Sequence, residues 1–387
     1  MRPICQQMLA RAEREPNNAN LWMNLSIALF CLGLRDTGMA IQAQALALAR
    51  IYHLAAAEQP ARLRLLLLMA PGDLAANTPI ECLLEQCDID LTFYFVSSGA
   101  PLAETIPEHD VLMVSLSESE ENRALLVALE PALSNWPKPI VNAPQHIPAT
   151  GRIAASVLLQ DAPGLLIPPT LSASRSDLLA MAQGSLRLPE RFDGCDFPII
   201  VRPIDSHGGH GLEKLNGAGD IAGYLAKVDA EGFFLSRFID YSGQDGLFRK
   251  FRIALVDGKP YACHLAVSSN WMIHYLNANM YEDAQKREEE AAYMACFAEL
   301  ARRHQPALDA IYRRTKLDYV CIDAAETPDG RLLVFEIDHA MVVHAMDPVD
   351  LFPYKQRHMQ KVQNAFRDYL LGLAAMQRQV KPIRACA

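Results

Sequence analysis

The sequence predicts a mixed fold in three parts: a short N-terminal helical region, a small α/β domain and a larger α+β domain. Three observations carry this. Apolar residues recur at helical spacing early in the chain, short apolar runs then alternate with helical patterns, and the second half holds longer strand pairs punctuated by Asp-Gly turns. At 387 residues the chain also exceeds one ordinary core, since single cores stop growing at roughly 250–300 residues.

Residues 1–60 are rich in Ala, Leu, Gln and Arg, and their apolar spacing from Leu21 through Leu48, broken at Gly33 and Asp36, predicts a helical hairpin. Trp22, Leu25, Ser26, Leu29, Gly38 and Ala45 fall near the offsets of one tetratricopeptide unit. One unit cannot form a free-standing solenoid. The region is therefore expected to cap the next domain, with a face open to a protein or peptide partner.

Residues 61–145 carry apolar runs at 63–70, 89–96, 109–116 and 138–143, separated by helical patterns at 80–86 and 120–133. Alternation of this kind predicts a parallel sheet. No GxGxxG follows the first strand, so no dinucleotide fingerprint is present. Residues 146–387 begin with helical stretches at 149–160 and 176–183 and continue with strands at 197–203, 233–239, 248–256, 261–267, 316–326 and 331–338. Asp257-Gly258 and Asp329-Gly330 are hairpin signals, and a helix is expected over 348–376.

Composition narrows the function. The formal net charge of -9 argues against a nucleic-acid coat, which needs clustered cations, so any anion site must be local. Nine scattered cysteines without a CxxC suggest neither a disulfide framework nor a zinc ribbon. No apolar run approaches the ~20 residues of a membrane helix, and no secretion signal is visible, so a cytoplasmic location away from membranes is expected.

Three segments hold the candidate chemistry. In 198–215 a strand delivers Arg202 and then a loop with Ser206, His207, Gly208, Gly209 and Gly211; glycines let backbone N–H groups close on phosphate oxygens beside a cation. In 248–275 alternation puts Lys250 and Arg252 on one strand face, with His264, Trp271, His274 and Tyr275 following. In 316–341 two strands carry Asp323 on one and Glu336 and Asp338 on the other, two apart and so sharing a face. Hard oxygen ligands of this kind suit magnesium held together with nucleotide phosphates.

The order of these features resembles the ATP-grasp superfamily, in the branch of glutathione synthetase, D-alanine–D-alanine ligase and the RimK-like ligases, over residues 145–345. Residues 61–145 are similar to that family's pre-ATP-grasp domain. The resemblance implies an ATP- and magnesium-dependent ligase, with manganese as an alternative ion, that joins a small amino-acid or peptide-like carboxylate to an amine or thiol through an acyl phosphate. It implies Arg152 and Arg202 at the phosphates, residues 206–211 as the mobile loop, Phe238 and Ile239 as the adenine hinge, and Asp240 at the ribose. It further implies Arg252 as the catalytic arginine and Asp323, Glu336 and Asp338 as metal ligands, the last where relatives usually carry Asn. The acceptor pocket would draw on His264, Trp271, His274, Tyr275 and Asn277, with Asn77, Thr78 and His109 from the preceding domain. A small-molecule kinase and a non-catalytic nucleotide-binding scaffold are the alternatives, and a homo-oligomer is compatible with either.

Overall fold

The structure, a computed structural model, describes residues 2–380 apart from Ala100, Asp193, Gly194, Asp205 and His207. Three helices come first: α1 (Arg2–Arg14), α2 (Ala19–Cys31) and α3 (Arg35–Leu48). They lead into β1 (Ile51–Leu54), β2 (Leu63–Met69), α4 (Ile80–Leu83), β3 (Ile89–Phe95), β4 (Val111–Val114), α5 (Glu120–Leu133) and β5 (Ile140–Val141). The strands form one sheet in the order β1-β3-β2-β4-β5. As expected, β2 to β5 pair in parallel, and β2 is apolar on both faces because both are covered. The edge strand β1 departs from the expectation. It pairs antiparallel to β3, so residues 51–54 join this sheet rather than the helical region.

The chain continues through α6 (Arg152–Leu159), β6 (Leu165–Leu166), β7 (Thr170–Ser174), α7 (Arg175–Ala182), α8 (Leu188–Arg191), β8 (Ile199–Pro203), β9 (Glu213–Leu215), α9 (Ile221–Leu225) and β10 (Gly232–Arg237). A second sheet, β7-β10-β8-β9, is antiparallel throughout. Ser174 and Asp177 close a capping box at the start of α7.

Last come β11 (Phe248–Val256), β12 (Lys259–Ser268), α10 (Ala284–Ala295), α11 (Phe297–Arg303), α12 (Gln305–Thr315), β13 (Tyr319–Glu326), β14 (Leu332–Asp338) and α13 (Lys355–Val380). The third sheet runs β12-β11-β13-β14-β6, with only β6 parallel to its neighbour. The β11–β12 turn places Asp257 at φ 49° and Gly258 at φ 72°, the conformation a two-residue hairpin demands.

Strand alternation divides the third sheet. Phe251, Ile253, Leu255, Val320 and Ile322 face one way, into a core shared with α12 and with the α5 side of the first sheet. Ala254, Val256, Tyr319 and Cys321 face the other way, where α13 supplies Val362, Phe366 and Leu370 and the first sheet supplies Leu63, Leu65 and Leu67. Helices α1 to α3 join this same core through Cys5, Trp22, Leu25 and Ala45. The second sheet is built differently. Phe233, Leu235, Val201 and Tyr224 close a core of their own with α7 to α9. The apolar clusters thus tie the first and third sheets together and set residues 171–235 apart as a lobe.

Candidate active site

Between that lobe and the third sheet lies a cleft of about 680 Å³. Its floor comes from one row of the third sheet. In backbone register His264 sits opposite Arg252, Arg252 opposite Asp323, and Asp323 opposite Glu336, across β12, β11, β13 and β14. Directly opposed residues share a face, so all four side chains emerge together. Bulges after Arg252 and after Asp323 bend the sheet at this row, a common way to aim side chains at a site.

Arg252 grips Asp323 with two bonds, Nε to Oδ1 at 2.7 Å and Nη2 to Oδ2 at 3.1 Å, and Lys250 Nζ adds a third at 3.0 Å. Burial alone would raise the Asp323 pKa, but the Arg252 and Lys250 charges outweigh it and hold the carboxyl well below its ordinary range. Burial likewise opposes the Arg252 charge, and Asp323 more than offsets that effect. Burial, reinforced by the Arg252 charge, drives the His264 pKa well down and keeps that ring neutral. Arg249 points to the opposite face, paired with Asp245 and with Glu289 of α10.

The far wall comes from the lobe. Arg202 leaves β8 and donates from Nε to Ser206 Oγ at 3.2 Å and from Nη2 to the Ser206 carbonyl, which anchors the start of the glycine loop. Burial, with Arg152 adding to it, lowers the Arg202 pKa to about 10, so the guanidinium stays charged at neutral pH. Gly208, Gly209 and Gly211 all have φ between 60° and 78°. Gly208 and Gly209 line the cleft, Gly209 against Met272, while Gly211 packs on Pro203 so closely that a Cβ would lie 2.8 Å from the ring. His207 lies outside the described residues.

Arg152, the first residue of α6, pairs with Glu336 at 2.5 Å. Phe238 and Ile239 follow β10 and line the cleft; the Phe238 ring carries Lys214 Nζ at 3.8 Å and meets Trp271 edge-on. Trp271, His274 and Tyr275 line the cleft as well. Four expected site residues do not: Ser206, Gly211, Asp240 and Asn277. Asp240 is exposed and accepts the Ser242 N–H, and Asn277 accepts the His274 N–H in a local turn.

The three candidates of the first α/β unit serve structure instead. Asn77 exchanges two hydrogen bonds with the Ala70 backbone, Thr78 donates to the Ser115 carbonyl, and His109 stacks on Trp136. Asn77 and Thr78 follow the C-terminal end of β2, where ligands often bind in parallel sheets, whereas His109 precedes β4. Here they satisfy backbone groups that the turns leave open.

Among the described residues six Lys and Arg side chains line the cleft against five carboxylates, an excess of cations in a chain whose formal charge is -9. An anion is therefore favoured here as it is not over the chain as a whole. Among the described residues no three His, Cys, Asp or Glu side chains are placed to hold a metal ion together. Asp338 stands two pairs further along, opposite Cys321, with its Oδ1 accepting the Ala340 N–H. Magnesium, however, needs only one or two carboxylates when phosphates supply the rest; Asp323 and Glu336 could supply them only by exchanging Arg252, Lys250 and Arg152, their present partners.

Sequence reasoning missed Tyr281, Asp347 and Lys355, which line the same cleft. Their signal lies in pairing between distant segments, which periodicity does not register.

No family model matches the chain, and no curated protein matches it. Solved structures do. The VanG D-Ala:D-Ser ligase from Enterococcus faecalis is 11% identical with a TM-score of 0.48, the match covering 80% of this chain and 99% of that one. A D-alanine–D-alanine ligase from Bacillus anthracis complexed with ATP is 13% identical with a TM-score of 0.47, covering 81% and 99%. A RimK domain protein ATP-grasp from Sphaerobacter thermophilus is 15% identical with a TM-score of 0.44, covering 80% and 100%. These likenesses are faint, and the chemistry of the cleft rests on its own geometry.

Proposed function

We propose that this chain is an ATP-dependent ligase of ATP-grasp type that activates a small carboxylate and joins it to an amine. The single observation that carries the reading is the row His264–Arg252–Asp323–Glu336, facing a glycine loop anchored by Arg202 across one cleft. The apolar wall of Ile167, Ile200, Phe234, Phe238 and Ile239 suits a purine, and Arg202 with Arg152 would receive the phosphates.

The chemistry follows from charge. A carboxylate is a poor acyl donor, so its oxygen first takes the γ-phosphoryl group of ATP and ADP departs. The amine then bonds to the acyl carbon and gives up one proton, the bond to phosphate breaks, and phosphate leaves with the electron pair and can take up that proton. Arg252 would face the charge concentrated at the transferring group, in a site where fixed donors act without reorganising. Arg152 would exchange Glu336 for phosphate oxygen, freeing that carboxylate. Magnesium held by Asp323 and Glu336 would offset phosphate charge. The glycine loop would keep water from the activated acyl group.

Incubation with ATP, magnesium and pooled amino acids, dipeptides and metabolite carboxylates tests this, following phosphate release and new masses. A ligase gives an amide mass and a kinase only a phosphorylated one. Hydroxylamine in the same mixture should trap the acyl phosphate as a hydroxamate. Glu336→Gln should slow product formation by about 10²-fold or more; a rate equal to the parent would remove the metal assignment.

A further inference from the structure

Apolar side chains of the three N-terminal helices pack into the core, but α3 also sends two polar side chains to the loop that follows β2. Gln42, 5% exposed, donates from Nε2 to the Gly72 carbonyl at 2.8 Å and accepts the Gly72 N–H on Oε1 at 2.8 Å. Both ends of the amide are engaged by one backbone residue. Arg35 Nε donates to Asp73 Oδ2 at 2.7 Å, and Asp73 Oδ1 accepts the Ala75 N–H at 3.0 Å. Residues 72 and 73 are thus held from α3. The turn they enter is tight, since a Cβ on Gly72 would lie 2.4 Å from that of Ala76.

The next two residues reach the cleft. Leu74 and Ala75 line it, and Leu74 is 52% exposed. Beyond them the Ala76 carbonyl accepts the Ser117 N–H at 2.9 Å and Asn122 Nδ2 at 3.0 Å. The loop is therefore fixed on both sides of Leu74, and the leucine between them is left half in water.

The same wall continues into the third sheet. His339 Nε2 donates to the Leu116 carbonyl at 2.9 Å, which ties the backbone beside this loop to the segment that carries Val342, a second apolar residue of the cleft, 45% exposed. The apolar wall assigned to the purine draws on residues 167–239 instead. Leu74 and Val342 thus offer apolar surface that a ligand other than the nucleotide can take out of water.

We infer that α3 is a positioning element of the cleft: Gln42, aided by Arg35, holds residues 72–76 so that Leu74 selects a carboxylate bearing a branched apolar chain over one without it. The inference rests on the ligase reading for the ligand being a carboxylate. Gln42 itself does not line the cleft and acts through Leu74. A Gln42 that served stability alone would leave selectivity where it was.

The probes are isocaproate, which carries a branched apolar chain, and acetate, which lacks it; binding to the full chain is followed by NMR titration, with and without AMPPNP and magnesium, well below the unfolding temperature of each variant. The parent should bind isocaproate at least about tenfold more tightly than acetate. Leu74→Asn should cut that preference at least about threefold, and Gln42→Met should do the same while leaving AMPPNP affinity unchanged. Placed in the Leu74→Asn background, Gln42→Met should add nothing, because the two residues act as one. Equal binding of the probes by the parent, an unchanged preference in either single variant, additive effects in the double variant, or a parallel loss of AMPPNP affinity in Gln42→Met overturns the inference. Should Gln42→Met fail to fold, Arg35→Gln decides from its exposed position: it should lower the preference in the parent and not in Leu74→Asn, and an unchanged preference in the parent overturns the inference. The two readings fail separately. Absence of AMPPNP binding and of phosphate release in the pooled assay would remove the ligase and leave the preference to be read without nucleotide, whereas equal binding of the probes with phosphate release intact overturns the role of α3 alone.

Discussion

Replacing Arg252 by Met removes the fork that holds Asp323 while keeping most of the side-chain volume. The Asp323 side chain is 5% exposed and that of Arg252 18%, so the variant leaves a buried carboxylate facing Lys250 alone at 3.0 Å. Removing one partner of a buried pair costs roughly 3–5 kcal/mol. Because Lys250 remains, the lower end is expected, about 3 kcal/mol in urea denaturation at neutral pH. Adding Asp323→Asn removes the orphaned charge and should restore at least about 1 kcal/mol, a coupling that a double-mutant cycle reads directly. The pH dependence carries a sign. A depressed carboxyl pKa contributes stability that is present above the unfolded value near 3.9 and lost as pH falls through the folded one. The gap between parent and Arg252→Met should therefore be widest at neutral pH and narrow below about pH 4. A penalty under about 0.5 kcal/mol, or no recovery on adding Asp323→Asn, would refute the account of Asp323 as a carboxylate held ionised by Arg252.

Three further outcomes are expected. Gly211→Ala, at φ 65° with Pro203 2.8 Å from the new Cβ, should cost about 1–2 kcal/mol and raise the concentration of ATP needed for half-maximal protection from heat. Gly258→Ala, at φ 72° with its Cβ 2.7 Å from the Tyr312 ring, should destabilise by a similar about 1–3 kcal/mol yet leave ATP protection unchanged, since the turn is remote from the cleft. The third concerns His109, whose Nε2 accepts from Trp136 Nε1 at 3.2 Å, which places its proton on Nδ1 toward the Pro107 carbonyl. Burial lowers its pKa, so the unfolded chain takes up the proton first and stability falls as pH drops below about 6.5. His109→Asn should flatten that fall in denaturation curves between about pH 7 and pH 5.

Part of the third sheet was legible in the sequence. Alternation in 248–256 assigned Lys250 and Arg252 to one face, and the Asp-Gly turns marked β11 with β12 and β13 with β14 as pairs, whereas the register that sets Asp323 opposite Glu336 and Arg252 was not legible, because it depends on pairing between distant segments. Helix α10 was not legible. Its sequence AQKREEEAAYMA buries Glu290 and Met294, and a carboxylate at an inward position erases the apolar period a reader looks for. Asp347 and Lys355 were hidden for the same reason, since a buried charge is recognised by its partner, and Glu290 and Lys355 lie 65 residues apart. Strand β1 was missed because four residues, two of them exposed, are too few for alternation to declare itself. Asn77, Thr78 and His109 misled in the opposite direction: sequence marks a residue as polar without saying whether its partner is a ligand or the backbone.

Helix α13 seals the core that joins the first and third sheets, and Arg367 within it clasps Asp88 at the foot of β3. Leucines translated near position 65 therefore complete their cover only when residues near 366 have left the ribosome. Until then a growing chain carries that face partly uncovered, so the α/β unit should be a client for chaperones during synthesis while the lobe of residues 171–235 can close on its own. A fusion that delays α13 should lower soluble yield more than one that disturbs the lobe.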